Sequence, residues 1–382
     1  MRRIVASLAV AVACASSAHA QTATRMVGRV AWTTADSENG SLGRAAPFAV
    51  DASGRVYVPD PTESVVDVFA ADGTFKGKIG RKGGGPGEFN GNCCAVIDPK
   101  GRLWVRDMGA RRYVVFSLTA SDANAMPKAT PQFVVKMPHF DQGMWLTLSF
   151  DAQGNLLDRG AKPDDSDPMK RKDAIFVVDS AGRILRAIDI PPPLTNVSQR
   201  LEIPYTVPNG KGVYFYYPPY AAYKLTAHGQ SGEFATAGSG KYEVNWYAPD
   251  GRMRRVLRRN VDGPLLTSAE RVTARADLDS TAARAKKSVA ALPFGVPTRK
   301  PPLNDLQFDL EGRLWVRRSV AGGVPPEFDV YGKDGTLAFI AMWPNLNGLK
   351  FHGAARGTSA WAVAEGEDDV PYIVKVEFAR GK

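Results

Sequence analysis

Hydrophobic residues along most of the chain alternate with polar residues in short runs, and Gly-containing turns separate these runs. In the first example the runs are Phe48–Val50, Arg55–Val58, Val65–Phe69 and Thr74–Ile79. A two-residue period predicts β-strands with one face in a core. Asp51 and Gly54 lie in the first turn, where an Asp carboxylate caps the turn and Gly adopts the positive φ of a tight hairpin. The unit is therefore four short antiparallel strands.

The four-strand unit recurs along the rest of the chain. Later copies begin at the runs Cys94–Asp98, Leu146–Phe150, Ala222–Thr226, Leu306–Asp309 and Leu349–His352. Four antiparallel strands in succession form one blade of a β-propeller. The sequence therefore predicts an all-β chain, a six-bladed β-propeller of four-stranded antiparallel blades that occupies residues 21–382.

The sixth copy contains three strands, which end with the run Tyr372–Phe378. A separate alternating run, Met26–Trp32, precedes the first copy. If this N-terminal strand pairs with Tyr372–Phe378, it supplies the missing fourth strand and no sheet edge stays exposed. We therefore expect the N-terminal strand to close the ring.

Motifs in the second copy resemble a known repeat. GGGPGEF at Gly83–Phe89, VIDPKGRLWVRD at Val96–Asp107 and RRYVVF at Arg111–Phe116 together resemble an NHL repeat. The chain after residue 20 resembles the exported six-bladed propellers of environmental bacteria, which are of NHL or TolB-like type. The shared order includes YEV and PDGR within Tyr242–Arg252 and a second GRLWVR at Gly312–Arg317. The resemblance implies the propeller fold and implies no activity.

One segment predicts a helix instead of strands. Thr267 and Glu270 have the spacing of a capping box, and Pro293 follows a stretch rich in Ala, Arg and Lys. We predict a helix at Ser268–Ala291, which makes residues 267–292 a helical insertion between blades four and five. Its apolar positions are too sparse for a buried helix, so we expect it on the surface. These positions are Val272, Ala276, Ala283 and Val289.

Residues 1–20 have the pattern of a signal peptide. Arg2–Arg3 precede the apolar run Ile4–Ala15, and Ala18–Ala20 is an Ala-x-Ala cleavage site. Attachment of lipid to Cys14 is the alternative. The apolar run is short for a bilayer span, and no later segment is apolar for long enough to cross a membrane. We predict a periplasmic or secreted protein without a transmembrane segment.

The chain is basic, with a formal net charge of +10, or +8 without the two arginines of the signal peptide. Basic stretches include Lys170–Lys172 and Arg252–Arg259. Such a surface is either simply solvated or attracted to an anionic envelope polymer or lipid head groups. Export argues against nucleic acid, so we expect an envelope protein, peptide or glycan as the partner. We also expect a monomer.

Two adjacent cysteines, Cys93 and Cys94, remain after removal of the signal peptide. Adjacent cysteines cannot join distant parts of a fold. In an oxidising compartment they can form a vicinal disulfide with each other. They can also stay reduced as small buried residues, or cross-link two chains. No C-x-x-C pattern supports a redox role.

The long connections of the predicted propeller all lie on one face. Turns between strands one and two, and between strands three and four, are short and share the opposite face. The long segments are Gly80–Asn92, Asp158–Asp173, Pro191–Tyr220, Val261–Pro302 and Val320–Glu327. Within the third, Leu194–Tyr220 is rich in Tyr and Pro and fits no blade. Because long loops on a rigid scaffold carry binding sites, we predict that this loop face is the working surface.

Charged residues at the ends of second strands are the candidate binding residues of the loop face. The candidates are Asp60, Arg106, Asp107, Arg111, Arg112, Arg317 and Arg318. A cationic rim of this kind can hold a carboxylate, sulfate or phosphate through bidentate contacts. Ordinary ion pairing among the same residues is the alternative.

Two functions are compatible with this sequence. The one we favour is a non-catalytic binding or scaffold module of the bacterial cell envelope, which presents the loop face to a protein, peptide or glycan. The other is a metal-dependent hydrolase or lyase with its site in the central channel. His139, His228 and His352 fall in different blades without paired spacing, so we predict no cofactor and leave Ca²⁺ and Zn²⁺ open. No catalytic residue is predicted, and Gly-x-Ser-x-Gly is absent.

Overall fold

The computed structural model describes most of the chain. The described residues are 23–35, 42, 47–137, 141–142, 148–164, 167–192, 197, 201–207, 210–229, 231–288, 291–292, 294–366 and 369–381. The predicted signal peptide and His139 lie outside them. No helix among the described residues is long and apolar enough to span a membrane.

Short antiparallel sheets follow one another along the first half of the chain. The first strand, β1 (Arg25–Thr33), belongs to the last sheet. Blade one contains β2 (Ala49–Val50), β3 (Val56–Asp60), β4 (Val65–Phe69) and β5 (Phe75–Ile79). Blade two contains β6 (Asn92–Ile97), β7 (Leu103–Asp107), β8 (Arg112–Thr119) and β9 (Lys128–Lys136). Blade three contains the short strand β10 (Asp141–Gln142) together with β11 (Ser149–Phe150), β12 (Leu156–Asp164), β13 (Asp167–Val178) and β14 (Ile184–Asp189).

The second half of the chain contains three more blades and two insertions. A separate hairpin, β15 (Leu201–Val207) and β16 (Gly210–Tyr216), precedes blade four. Blade four contains β17 (Lys224–His228), β18 (Phe234–Gly238), β19 (Glu243–Tyr247) and β20 (Met253–Arg258), and α1 (Ser268–Arg284) follows it. Blade five contains β21 (Leu303–Phe308), β22 (Leu314–Arg318), β23 (Glu327–Tyr331) and β24 (Leu337–Met342). Blade six contains β25 (Ala355–Arg356), β26 (Ser359–Glu365), β27 (Pro371–Arg380) and, outermost, β1.

Buried apolar clusters lie between neighbouring blades. One cluster joins each successive pair, from blades one and two to blades five and six. A further cluster groups Val58 and Phe69 of blade one with Trp361 and Ile373 of blade six. Because this cluster connects the last blade with the first, the six blades form a ring, and burial of apolar surface at each interface holds it together.

The N-terminal strand pairs with the last strand of the chain, as the sequence predicts. The antiparallel register of β1 and β27 runs from Met26 opposite Arg380 to Thr33 opposite Val374. The structure adds two contacts that the pattern does not predict. The start of β1 pairs in parallel with β24 of blade five, and the indole Nε1 of Trp32 donates to the carbonyl of Ala71 in blade one at 2.9 Å. One strand therefore connects three blades.

A hydrogen-bonded unit repeats in the turns between first and second strands. In blade five, Asp309 accepts a hydrogen bond from the backbone N–H of Arg313 at 2.9 Å. Its other oxygen accepts from the Arg313 guanidinium and from the indole of Trp315 at 2.8 Å. Two other blades repeat this unit, with Asp98, Arg102 and Trp104 or with Asp51, Arg55 and Tyr57. The turn role predicted for Asp is confirmed, and the two tryptophans are core residues.

Two of the predicted loops contain β-structure. The sequence pattern predicts a loop at Asp158–Asp173. In the structure β12 and β13 pair along this segment, from Leu156 opposite Val178 to Asp164 opposite Asp167. Pro191–Tyr220 contains the β15–β16 hairpin. The pattern misses β12 and β13 beyond the blade core because that part of the hairpin is rich in charged residues and lacks alternation. The first strand of blade six is Ala355–Arg356, and the predicted run Leu349–His352 joins the same blade through an antiparallel bridge between Lys350 and Val363.

The predicted helix forms, but it is shorter than expected. Thr267 and Glu270 make both hydrogen bonds of the capping box. The helix ends at Arg284 instead of Ala291, because Lys286 adopts a left-handed φ of 53°. The backbone N–H of Lys287 then donates to the carbonyl of Ala282 at 2.9 Å, which is the hydrogen bond of a Schellman motif. A local C-terminal cap therefore ends the helix before Pro293 is reached.

Helix α1 packs on the β15–β16 hairpin. This hairpin lies within Leu194–Tyr220, the Tyr- and Pro-rich segment that fits no blade. Leu278 and Ala282 of the helix belong to one buried cluster with Leu201 and Tyr216 of the hairpin. The hydroxyl of Tyr216 donates to Asp277. The buried helical face differs from the predicted apolar positions and comprises Ala274, Leu278, Thr281 and Ala282, whereas Val272 is 70% exposed. The two insertions thus form one cap next to blades four and five.

Candidate ligand-binding site

The central channel contains a cavity on the face of the short turns. A cavity of about 640 Å³ is lined by first strands and first turns from all six blades. Its acidic side chains are occupied by local contacts. Asp51 and Asp98 pair with Arg55 and Arg102, and Asp151 accepts from Asn155 Nδ2 at 3.0 Å. The turn face therefore contains a cavity that the sequence does not predict, while its carboxylates stabilise the turns.

Two histidines from different parts of the ring line the same two cavities of the channel. His228 of blade four and His352 before blade six line both the turn-side cavity and a second cavity. The Nδ1 atom of His228 lies 3.0 Å from the hydroxyl oxygen of Ser149 in blade three. Nε2 of His352 has no hydrogen-bond partner among the described residues. Burial lowers the pKa of His352 to about 4, so its ring is neutral at neutral pH.

The second cavity is the part of the channel nearer the loop face, and it has a volume of about 290 Å³. Arg159, Asp305, Arg317 and Lys350 contribute charged groups to its wall. Asp305 accepts from the backbone N–H of Leu306 at 2.8 Å and forms no ion pair with another described residue. Burial raises the pKa of Asp305 to about 6. Cationic groups therefore outnumber carboxylates on the wall of this cavity.

A cleft of about 760 Å³ lies on the loop face, beside the first strands of blades four and five. Tyr217, Tyr220 and Tyr223, from the connection that leads into β17, line it together with Pro and aliphatic side chains. Tyr220 has a left-handed φ of 58°, which is uncommon for a residue other than Gly. The side chain of Arg317 lines both this cleft and the channel cavity. Arg317 therefore belongs to the walls of both cavities.

Four cationic side chains line the cleft, and ion pairs neutralise three of them. Lys224 pairs with Asp173 at 3.0 Å, Lys300 pairs with Glu270 at 2.7 Å, and Arg318 pairs with Glu327 and Asp329. Arg317 forms no ion pair with any described residue. Its Nη1 donates to the carbonyl of Leu349 at 3.2 Å, and burial lowers the pKa of its guanidinium from the ordinary value. Arg317 is thus a half-buried cation that forms no direct ion pair in the described structure, although Asp305 lies opposite it in the β21–β22 register and its charge counteracts the effect of burial on the Arg317 pKa.

The other candidate residues of the predicted cationic rim have structural contacts. Asp60 accepts from the backbone N–H of Thr62 at 2.7 Å, and Asp107 accepts from that of Asn90 at 3.0 Å. Arg112 pairs with Asp107 and donates to the carbonyls of Gly84 and Glu88. These contacts hold the loop of Gly83–Phe89 against blade two, as the alternative of ordinary ion pairing predicts.

The remaining arginines of blade two also lie away from the cleft. Arg106 is fully buried and pairs with Asp158 of blade three. Arg111 is exposed and adopts a left-handed φ of 50° in the turn before β8. Of the seven candidates, the structure brings only Arg317 and Arg318 together at a cavity.

Cys93 and Cys94 lie in the core between blades two and three. The register of β6 shifts between Asn92 and Ala95, and the two sulfur atoms are 2.6 Å apart. Both cysteines are free thiols in this structure. The proximity of Cys94 and the positive charge of Arg106 lower the pKa of Cys93 against the effect of burial. A β-bulge therefore places two neighbouring side chains on the same side of the strand.

The donor set of the channel does not match a metal centre. No three His, Cys, Asp or Glu side chains of the described residues are grouped as ligands of a metal ion. His228, His352 and Asp305 share a cavity, but they do not form such a group. The described residues of the channel therefore lack the donor group of the Ca²⁺ or Zn²⁺ site that a metal-dependent reaction would require.

Sequence reasoning missed the tyrosine cleft and the meeting of two histidines. The cleft depends on Tyr217–Tyr223, a segment without alternation, and its Tyr and Pro content was the available signal. His228 and His352 are more than a hundred residues apart, and only ring closure brings them together. Neither arrangement has a local sequence motif.

Comparison with known proteins supports the six-bladed β-propeller fold. Residues 49–151 match a family model described as a 6-bladed beta-propeller. The chain is a six-bladed β-propeller, as its sequence predicts. A search of curated proteins found no match.

Solved structures of several propeller proteins are similar to this chain. An inferred exported protein from Bacteroides fragilis is 12% identical, covers 96% of this chain and 98% of its own, and has a TM-score of 0.48. A gluconolactonase from Xanthomonas campestris is 12% identical, with coverages of 94% and 99% and a TM-score of 0.41. Virginiamycin B lyase from Staphylococcus aureus is 9% identical, with coverages of 90% and 87% and a TM-score of 0.36. These similarities are too low to assign an activity.

Proposed function

We propose that this protein is a non-catalytic binding module of the bacterial cell envelope and that its loop face carries the ligand site. The observation that carries this proposal is the cleft of about 760 Å³ lined by three tyrosines beside Arg317. Binding pockets of this size are typically lined by aromatic and apolar side chains with a few polar groups. The predicted signal peptide supports an envelope location, either periplasmic or secreted. The partner is then an envelope protein, peptide or glycan.

The cleft has the properties of a preformed site. Tyr223 is held by a hydrogen bond from its hydroxyl to the carbonyl of Asn304 at 2.6 Å. Lys300 Nζ lies 5.9 Å from the ring centroid of Tyr220, within range of a cation–π interaction. Helix α1 and the β15–β16 hairpin support the same region through their shared core. Contacts that hold side chains before a ligand arrives reduce the entropy cost of binding.

The same substitution on the two faces tests this proposal. Ala221 lines the cleft and Ala152 lines the turn-side cavity, so Ala221→Trp fills one site and Ala152→Trp narrows the other. Arrays of envelope glycans and of peptides would be probed with the wild-type protein and both variants. We expect wild type and Ala152→Trp to bind the same members, and Ala221→Trp to bind them at least about tenfold more weakly. Equal binding by all three proteins, or no binding by any, would overturn the proposal.

The shared cavity of His228, His352 and Asp305 favours a second candidate, a hydrolase or lyase in the channel. The poor fit of these residues to a metal site argues against the metal-dependent form of that activity. Elemental analysis of purified protein decides between the two. About one Ca or Zn per chain, lost in a His228→Ala/His352→Ala variant, would replace the binding proposal with the enzymatic one.

A further inference from the structure

Arg317 differs from every other cation of the cleft in its partners. Lys224, Lys300 and Arg318 each form an ion pair at the edge of the cleft. Arg317 lines both the cleft and the channel cavity, makes no direct ion pair with Asp305 opposite it in the β21–β22 register, and donates one hydrogen bond to the Leu349 carbonyl, which occupies only part of its guanidinium. A guanidinium has five N–H donors in a planar fork that matches a carboxylate. The site therefore offers one anionic group a bidentate contact at a single position.

We propose that this site binds the free C-terminal carboxylate of a peptide, with the carboxylate on Arg317 and the last side chains in the tyrosine-lined cleft. The inference rests on the proposed function and specifies the ligand of that site. Capture of a terminal carboxylate is an established mode of peptide recognition.

The position of Arg317 favours a chain end over the middle of a chain. Arg317 lines both the cleft of about 760 Å³ and the channel cavity of about 290 Å³, so it borders the channel side of the cleft. A chain end reaches Arg317 with one group and leaves the rest of the ligand in the cleft. An internal acidic residue must place chain on both sides of the same contact. A single cation on this side of the cleft therefore favours a terminal anion.

The number of free charges favours a peptide over an acidic glycan. A polymer with a carboxylate on each sugar would need a row of unpaired cations, whereas three of the four cations here are already neutralised. A peptide terminus carries one carboxylate. The rest of the cleft presents tyrosine rings and aliphatic surface, which suit apolar final side chains because Tyr combines an apolar ring with a hydroxyl. Asn304 and Ser319 also line the cleft and offer polar groups to a peptide backbone.

A peptide series with two chemical endings tests the proposal. Pentapeptides that end in Ala, Leu, Phe or Tyr would be prepared both as free acids and as C-terminal amides, and their binding measured by isothermal titration calorimetry. We expect at least one free acid to bind at least about tenfold more tightly than its amide, because the amide loses the charge-assisted bidentate contact. Arg317→Gln should reduce the affinity for the acid to that for the amide.

Two further variants keep the result interpretable. Lys224→Gln removes a cation of the same cleft that Asp173 already neutralises, so the preference for acid over amide should change less than about threefold. Arg317→Lys retains the charge without the planar fork, so it should retain part of the preference if Arg317→Gln proves too unstable to measure. Thermal melting of each variant gives the folded fraction.

The outcomes separate this proposal from the function on which it rests. If acids and amides bind equally and Ala221→Trp abolishes both, the loop face binds peptides but does not recognise their termini. If oligogalacturonate binds through Arg317 and no free-acid peptide does, the ligand is a glycan and the peptide proposal is wrong. If no probe responds to Ala221→Trp, the proposed function itself fails.

Discussion

The guanidinium of Arg106 in blade two is paired with the carboxylate of Asp158 in blade three, and neither side chain is exposed to solvent. The hydroxyl of Tyr113 donates to the same carboxylate. This triad lies at the interface between two blades, next to Cys94, whose sulfur is 4.0 Å from Arg106 Nη1. Arg106 was a candidate for the binding rim by its sequence position. Its buried partner makes it part of the junction between blades.

Removal of both members of this pair should be less damaging than the sum of the two single removals. Asp158→Leu leaves a buried guanidinium without its counter-charge and should lower the free energy of unfolding by about 3–5 kcal/mol. Arg106→Met leaves the buried Asp158 carboxylate without its counter-charge and should cause a similar loss. The double variant removes both charges and should lose clearly less than the sum of the single losses. Urea unfolding at pH 7.5 gives the three values, and strictly additive losses would contradict an energetic pairing.

Asp67 in β4 should destabilise the protein at neutral pH. The residue is buried, and its Oδ1 atom has no hydrogen-bond partner among the described residues. Burial raises its pKa from 3.8 to about 6. Because the folded state holds this proton more tightly than the unfolded state, the free energy of unfolding falls as the pH rises between about 4 and 6. Above pH 6 the penalty is complete.

Asp67→Asn should therefore raise the free energy of unfolding by about 1–3 kcal/mol at pH 8, and by much less at pH 4. Chemical unfolding at the two pH values measures the difference. Asp279→Asn is the matched control, because Asp279 is exposed on α1 and its ion pair with Arg275 is a surface contact. A gain for Asp67→Asn that is the same at both pH values would show that the carboxylate charge is not its cause.

Gly28 in β1 allows the N-terminal strand to pack closely against the last strand. A Cβ atom at this position would lie 2.7 Å from Val376 Cγ1 and 2.8 Å from Phe378 Cε1. Gly28→Val should therefore lower the free energy of unfolding by about 2 kcal/mol or more through overpacking. Val30 is 44% exposed in the same strand, so Val30→Thr should have a small effect. Equal losses in thermal melting would mean that β1 does not need this close approach.

Cys93 and Cys94 should form a disulfide with each other after export into an oxidising compartment. The bulge in β6 already holds their sulfur atoms 2.6 Å apart, and burial in the core keeps a second chain away from them. The intact protein, denatured without reductant, should have a mass lower by two hydrogen atoms than the reduced protein. Cys93→Ser should abolish this difference. A covalent dimer in the wild type would indicate cross-linking between chains instead.

Local patterns in the sequence predict the strands and turns of the propeller well. Each D-x-x-G turn is stabilised within a few residues, as Asp309 shows with Arg313 and Trp315. The capping box of α1 is local in the same sense. The cap that ends the helix is also formed by near neighbours. It depends on the left-handed conformation of Lys286, and Lys is not a residue type that indicates this conformation. A hydrogen bond between near neighbours can therefore be predicted from the sequence only where few residue types are able to form it.

The number of blades and the strand that pairs with the C-terminal strand follow from patterns within the chain. Which charged side chains lack an ion pair becomes apparent only in the folded ring. Arg106 and Arg317 are the last residues of the two GRLWVR motifs, yet Asp158 forms a buried ion pair with the first, whereas the second forms no direct ion pair with any described carboxylate. Asp158 belongs to blade three, and the Leu349 carbonyl that accepts from Arg317 precedes blade six, so both contacts depend on distant parts of the chain. Alternation and turn chemistry act over a few residues, whereas charge pairing acts through space once the ring has formed.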